Sequence, residues 1–287
     1  MKRNYFVHES SYVDEKLSKK FVKNAIIEDN GRGDLFFDIA PKGRFSAKVI
    51  AKDDGVLAGV VYAKALSKTE KFDCKFLIKD GQEVKKGDVI AELEGKASTL
   101  LSSERTFLNL LQHASGIATS ASKYAKLLEG SGVILLDTRK TRPQLRDFEK
   151  YASRVGGAIN HRLGLDDCLM LKDTHLKTIT DLKEFVKKAR KRISWVTKIE
   201  IECETFDQVV EAMEAGGDII MCDNMSPEQI KDVSNYRDEN YPHVMLEASG
   251  NITDETISSY LNSGVNAISS GSIIHQATWL DFSMKFD

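Results

Sequence analysis

Seven polar or glycine-rich groups, nearly all at the end of an apolar run, carry the side chains that could do chemistry in this chain. Thr138-Arg139-Lys140 follows VILLD, and a short segment ends in Asn160-His161-Arg162. DCLML ends at Lys172, and KIEIE carries Glu200 and Glu202. DIIMC ends at Asp223-Asn224, VMLEA at Ser249-Gly250-Asn251, and NAISS at Gly271-Ser272. The set divides by sign. Arg139, Lys140, His161, Arg162 and Lys172 are cationic or can become so, whereas Glu202 and Asp223 are anionic. Arginine forks match planar carboxylates. Two carboxylates on neighbouring strands suit Mg²⁺ or a sugar diol. Ser249-Gly250 and Ser270-Gly271 suit a phosphate. So much positive charge in a protein of net charge −2 implies an anionic substrate drawn into a focused cleft. Each piece also has a plainer explanation. Lys172 and Asp173 can form a surface ion pair, and Ser249-Gly250 can be only a turn. A complete ring of such groups is harder to ascribe to solvated ends.

Glu200 and Glu202 have the same parity along a strand and should face the same side. His113 lies in an apolar helix and reads as a hydrogen-bonded core histidine. His175 either caps the helix it opens or lines the cleft.

These groups need a scaffold that brings strand ends together. From residue 133 the chain alternates strand and helix. Apolar runs at 133–137, 167–172, 196–203, 218–223, 243–249 and 266–271 alternate with amphipathic stretches at 143–155, 174–192, 205–215, 226–238 and 253–263. Ser226-Pro227 and, more weakly, Thr253 mark helix starts, and Gly216 and Gly264 mark ends. Repeated βα units imply a parallel sheet. No GxGxxG follows the first strand, which favours a barrel over a dinucleotide-binding sheet. In a βα barrel the chemistry sits at the C-terminal strand ends.

The first ~115 residues read differently, as a small α+β domain with an antiparallel sheet. A helix is expected over 14–28, followed by strand-like runs RFSAKVIAK, GVLAGVVYA, KFDCKFLIK and DVIAELEG. FLIKDGQEVKKGDVIAELEG resembles half of a biotinyl or lipoyl carrier but lacks the lysine at a hairpin tip, so it reads as a hammerhead-like structural piece. A long apolar helix spans 105–128. The expected division is 1–115, joined by a returning tail at 276–287, and a barrel over 116–275.

Composition removes whole classes. The chain has 287 residues, 41 Lys+Arg and 43 Asp+Glu, without the basic excess of a nucleic-acid binder. No apolar stretch approaches the ~18 residues of a membrane span. MKRNYFVHESSY has basic residues with no apolar run behind them, so no secretory signal is expected. The four cysteines form no CxxC, and scattered free thiols point to a reducing cytoplasm.

Longer runs carry a family resemblance. ERTFLNLLQHASGIAT (104–119), LLDTRKTRPQLRDFEKYA (135–152), GGAINHRLGLDDCLMLKDTH (156–175), KIEIECET (198–205), MCDNMSP (221–227), LEASGNIT (246–253) and SSGSIIHQA (269–277) closely resemble the quinolinate phosphoribosyltransferases, in family order. The N-terminal part matches more weakly, mainly through NGRGD at 30–34. The resemblance implies an α/β fold: an N-terminal α/β sandwich and an open, incomplete barrel of six to seven parallel strands. It implies transfer of the phosphoribosyl group of phosphoribosyl pyrophosphate to quinolinate with loss of CO₂, the step that supplies nicotinate mononucleotide for NAD. It also implies Mg²⁺ and a homodimer with shared active sites, or a higher homo-oligomer.

By motif, Arg139, His161, Arg162 and Lys172 would meet the quinolinate carboxylates, with Arg105 arriving from the neighbouring subunit. Lys140, Glu202 and Asp223 would meet phosphoribosyl pyrophosphate, and Glu202 and Asp223 would hold Mg²⁺. Lys140, Lys172, Glu202 and Asp223 would be the catalytic set. Ser249, Gly250, Asn251, Ser270, Gly271 and His275 would cradle the 5′-phosphate. Asn251 stands where a second glycine is often expected, and Ser270 where an apolar residue is. Two other readings remain. One is a related phosphoribosyltransferase acting on another aromatic acid or base, and the other is a silent carrier or scaffold. Neither nucleic acid nor membrane is expected as a partner.

Overall fold

The computed structural model describes residues 13–287. The expectation about a leader at MKRNYFVHESSY falls outside them. The chain divides into two compact units: the described residues up to Ser122 with Asp147–Gly157 and Gln276–Asp287, and Lys123–Arg146 with Ala158–His275.

In chain order the helices are α1 (Glu15–Asn30), α2 (Val60–Glu70), α3 (Ala97–Leu127), α4 (Arg146–Val155), α5 (Asp173–Leu176), α6 (Leu182–Arg190), α7 (Phe206–Glu214), α8 (Pro227–Asn240) and α9 (Ser272–His275). The strands are β1 (Arg44–Ala51), β2 (Gly55–Val56), β3 (Asp73–Phe76), β4 (Glu83–Val84), β5 (Val89–Lys96), β6 (Ile134–Leu136), β7 (Leu169–Leu171), β8 (Ile199–Cys203), β9 (Ile219–Asp223), β10 (Met245–Ser249), β11 (Ala267–Ser269) and β12 (Phe282–Phe286). Among the described residues no helix is long and apolar enough to cross a membrane.

The first unit holds an antiparallel sheet in the order β12-β1-β5-β3. The C-terminal tail pairs into this sheet, with Val49 of β1 opposite Met284 of β12. GVLAGVVYA is not a strand. Only Gly55–Val56 pairs, and the run turns at Gly59 (φ 99°) into α2. A short apolar run cannot be assigned by periodicity alone; here Tyr62, Ala63 and Leu66, one helical turn apart, are all buried. The segment Asp147–Gly157, which sequence rhythm places among the barrel helices, groups with this unit. Its aromatic residues explain why. Phe148 stacks on Phe21 at 5.3 Å and meets Tyr62 edge-on at 4.8 Å. His113 is the core histidine expected, with Nε2 3.0 Å from the buried Glu149.

The second unit is a six-stranded parallel sheet, β6-β11-β10-β9-β8-β7. A seventh position is only a bridge, Leu136 to Ile159. No pairing joins Ile159 to β7 among the described residues, so the barrel is open there. All strands run the same way, so their C-terminal ends form one rim. Two helices differ from expectation. The stretch 174–192 breaks at Asp181, whose carboxylate accepts the Glu184 N–H and starts α6 as a new N-cap. The stretch 253–263 forms only a 3₁₀ turn over Ile257–Asn262, with no side chain capping it. Ser226 does cap α8, with Pro227 next and Gln229 closing a capping box.

Candidate active site

Inside the second unit the inward-facing strand positions are unusually polar. Asp137, Glu200, Glu247 and Ser269 are all at most 3% exposed. They form a layer below the rim. Asp137 accepts the His161 N–H at 2.8 Å and the Asn160 side-chain amide at 2.6 Å. That carboxylate therefore shapes the corner from which His161 and Arg162 project. His161 Nε2 lies 3.3 Å from Glu200 and 3.3 Å from Glu247. Hydrogen bonds and attraction from the two carboxylates favour a proton on the His161 ring against the cost of burial, and because Nδ1 accepts the Arg162 N–H, that proton sits on Nε2. Burial, with the neighbouring Glu200 charge, pushes the Glu247 carboxyl above its ordinary range against the pull of His161.

The rim above this layer carries the cations. Arg139 and Arg162 are both half-buried. Burial, then the charges of Arg162 and Arg146, push the Arg139 guanidinium below its usual range. Three arginines thus crowd one region. Arg162 is steadied by a 3.0 Å bond from its guanidinium to the Cys168 carbonyl. Arg146, which sequence reasoning did not single out, donates to the Leu163 carbonyl at 3.1 Å and to the Thr141 hydroxyl at 3.3 Å. Its only signal was its place a few residues beyond TRKTR. Lys172 pairs with Glu202, not with Asp173, which instead takes Lys177 at 3.3 Å. His175 caps: its Nδ1 accepts the Lys172 N–H at 3.0 Å.

Glu202 and Asp223 lie on adjacent strands β8 and β9, as expected, and Asp223 is level with Ser249 in the β9–β10 register. Asp223 accepts the Asn224 side-chain amide at 2.7 Å. Both are oxygen donors, the chemistry a hard cation requires. Among the described residues His161, Glu200 and Glu247 are the three donors near enough to share an ion, all within 4.8 Å. Their geometry reads better as a hydrogen-bonded cluster. A metal-bound imidazole keeps its proton on the other nitrogen, and here Nδ1 accepts the Arg162 N–H at 2.7 Å.

The remaining rim groups also converge. A side chain at Gly271 would meet Lys140 Cδ at 2.8 Å, Thr138 Oγ1 at 3.2 Å and His275 Cδ2 at 3.2 Å. The Lys140 chain therefore runs over Gly271, with His275 alongside. Ser270 Oγ lies 2.7 Å from Ser272 Oγ. Gly250 (φ 92°) and Asn251 (φ 51°) are successive left-handed residues. Asn251 thus adopts the conformation that glycine would supply, and asparagine is among the few residues that do so routinely. Its amide also donates to Asn224 Oδ1 at 3.1 Å. Arg105 is exposed on α3 in the other unit.

An open parallel α/β barrel with cations and glycine turns on the rim defines an enzyme scaffold for anionic substrates. The chain belongs to the quinolinate phosphoribosyl transferase family: the family's N-terminal domain matches residues 34–115 and its C-terminal domain residues 117–285. It is similar to the probable nicotinate-nucleotide pyrophosphorylase (carboxylating) of Bacillus subtilis, 40% identical over 93% of this chain and 92% of that one. It is 33% identical to the Homo sapiens nicotinate-nucleotide pyrophosphorylase (carboxylating), over 86% of this chain and 84% of that one. The solved nicotinate-nucleotide pyrophosphorylase of Francisella tularensis superposes with a TM-score of 0.87 at 32% identity, covering 96% of this chain and 98% of that one. NadC from Streptococcus pyogenes superposes at 0.89 with 37% identity, over 95% and 97%.

Gly250 offers a direct check of the rim geometry. A side chain there would meet the Asn224 backbone nitrogen at 2.8 Å, in a left-handed conformation. Gly250→Ala is therefore expected to cost about 1–3 kcal/mol, read as a lower urea midpoint. An unchanged midpoint would show that the turn tolerates a side chain.

Proposed function

We propose that this chain transfers the phosphoribosyl group of phosphoribosyl pyrophosphate to quinolinate with decarboxylation, giving nicotinate mononucleotide, pyrophosphate and CO₂ for NAD biosynthesis. The match of both family domains along the chain carries this reading, and the charges of Arg162 and Arg146 acting on the half-buried Arg139 support it. Like charges held together at half-buried positions are unfavourable until an anion joins them. A planar dianion with adjacent carboxylates meets that demand, and guanidinium forks suit its geometry. The names of the relatives describe the same equilibrium from the product side.

The bond changes are few. The quinolinate ring nitrogen attacks C1′ as the C1′–O bond to pyrophosphate breaks. The bond from C2 to its carboxylate then breaks, CO₂ leaves, and the electron pair stays on C2, stabilised by the adjacent cationic ring nitrogen, until C2 takes a proton from water. Positive charge builds on the ribose and negative charge on pyrophosphate. Glu202 and Asp223, at adjacent strand ends, support the first, and Lys140, lying over Gly271, supports the second. Lys172 is shared between Glu202 and an incoming carboxylate. Its ion pair would therefore loosen on substrate binding and leave Glu202 for the ribose hydroxyls. Most of the work is positioning.

Mg²⁺ fits the oxygen-only pair Glu202 and Asp223, with its other ligands from the substrate phosphates; bound there, it would neutralise charge on the departing pyrophosphate. Ser249, Gly250, Asn251, Ser270, Gly271 and His275 would take the 5′-phosphate. The free thiols of Cys74, Cys168, Cys203 and Cys222 support a reducing, cytoplasmic location.

The deciding assay supplies Mg²⁺, phosphoribosyl pyrophosphate and either quinolinate or nicotinate, and quantifies nicotinate mononucleotide and CO₂. Equal product and CO₂ from quinolinate, with little product from nicotinate, is expected. Product from another aromatic acid and none from quinolinate would overturn the reading. The proposed homodimer with a shared site, Arg105 crossing to a neighbour, is tested by mixing inactive proteins. Arg105→Ala and Lys172→Ala subunits should regain activity on reassembly, because one mixed site is intact. No recovery would count against sharing.

A further inference from the structure

Beneath the rim, His161 stands on two carboxylates that the reaction itself does not use. Glu200 and Glu247 are 0% and 2% exposed. Both approach the same atom, Nε2 of His161, at 3.3 Å. The Ser269 hydroxyl, also buried, interacts with the Glu247 carboxylate and favours its charged form. Two carboxylates facing each other in a dry interior are costly.

The other face of the ring supplies a reason for that cost. Nδ1 accepts the Arg162 N–H at 2.7 Å, and the Arg162 guanidinium is tied to the Cys168 carbonyl at 3.0 Å. A chain of contacts therefore runs from the buried carboxylates through the imidazole to the arginine on the rim. Asp137 holds the same corner from beneath through the His161 N–H.

We propose that Glu247, together with Glu200, is the positioning element of the substrate clamp: the two carboxylates fix the His161 ring through Nε2 and, through Nδ1, set the turn that presents Arg162. Neither glutamate touches substrate. Both act through His161, so the clamp's geometry is built from the barrel interior and does not depend on the mobility of long rim side chains. This deepens the functional reading above and rests on it for the nature of the ligand, but the contact itself can be tested without substrate.

Two measurements separate the possibilities. The first is the ring ¹⁵N spectrum of histidine-labelled, substrate-free protein. It has six histidine signals to assign, and His161→Gln identifies one. The expected His161 Nε2 is protonated and hydrogen-bonded, and Glu247→Gln shifts that signal alone. An unprotonated Nε2 in the wild-type protein would overturn the proposal, as would one stoichiometric transition metal per chain that is lost in Glu247→Gln.

The second is a double-mutant cycle on activity. Glu247→Gln and His161→Gln should each raise the quinolinate KM by about tenfold to a hundredfold, the scale of one charge-assisted hydrogen bond. The KM for phosphoribosyl pyrophosphate should stay near wild type. The double variant should be no worse than His161→Gln alone. Additive losses, or equal losses for both substrates, would assign Glu247 a general structural role. If the wild-type protein does not turn over quinolinate, the functional reading fails while the ring spectrum still decides the contact.

Discussion

The barrel of this protein is organised around a charge balance across its rim. Asp137, Glu200 and Glu247 lie buried inside the sheet, and Arg139, His161, Arg162 and Lys172 stand above or against them. Carboxylates in so dry a place are costly unless hydrogen-bonded. Each of the three is engaged with the loop around residues 160–161. In return they fix the backbone and ring from which the cations project.

The rest of the second unit serves this balance. Parallel strands put every C-terminal end on one side, so residues far apart in the chain share a rim. The gap between Ile159 and β7 leaves the segment 160–168 free of the sheet ladder. Its conformation is set by side chains: Asp137 to Asn160, Arg162 to the Cys168 carbonyl, and Asp167 to the Leu163 N–H at 2.9 Å. On the far side of the rim, Gly250 and Asn251 turn in left-handed conformations, and Gly271 lets Lys140 pass closely. One half of the rim is thus built from charge and the other from backbone turns.

Much of this was legible in the sequence, because βα rhythm and strand-end polarity are local signals. The six parallel strands fall within the expected runs, and Ser226-Pro227 starts its helix as expected. The equal parity of Glu200 and Glu202 placed both on the same side of their strand. What the parity did not reveal is their difference in depth. Glu200 is fully buried under His161, while Glu202 is at the rim with Lys172, and depth depends on the stagger between strands. Glu247 was hidden for a related reason: within VMLEA it reads as a polar interruption in an apolar strand. The pairing of Lys172 with Glu202 was missed because the sequence neighbour Asp173 offered a simpler partner. GVLAGVVYA misled because an apolar run with one glycine fits a strand as well as a helix after a turn.

The rim suits a dianion with two adjacent carboxylates. Calorimetric titration of the substrate-free protein with quinolinate and with nicotinate, at the same pH and salt, tests it most directly. The two ligands differ by one carboxylate on the same ring. Quinolinate is expected to bind at least about tenfold more tightly, as one further charge-assisted contact requires. Equal affinity for the two would contradict it, because the crowded arginines would then not be recognising the second carboxylate.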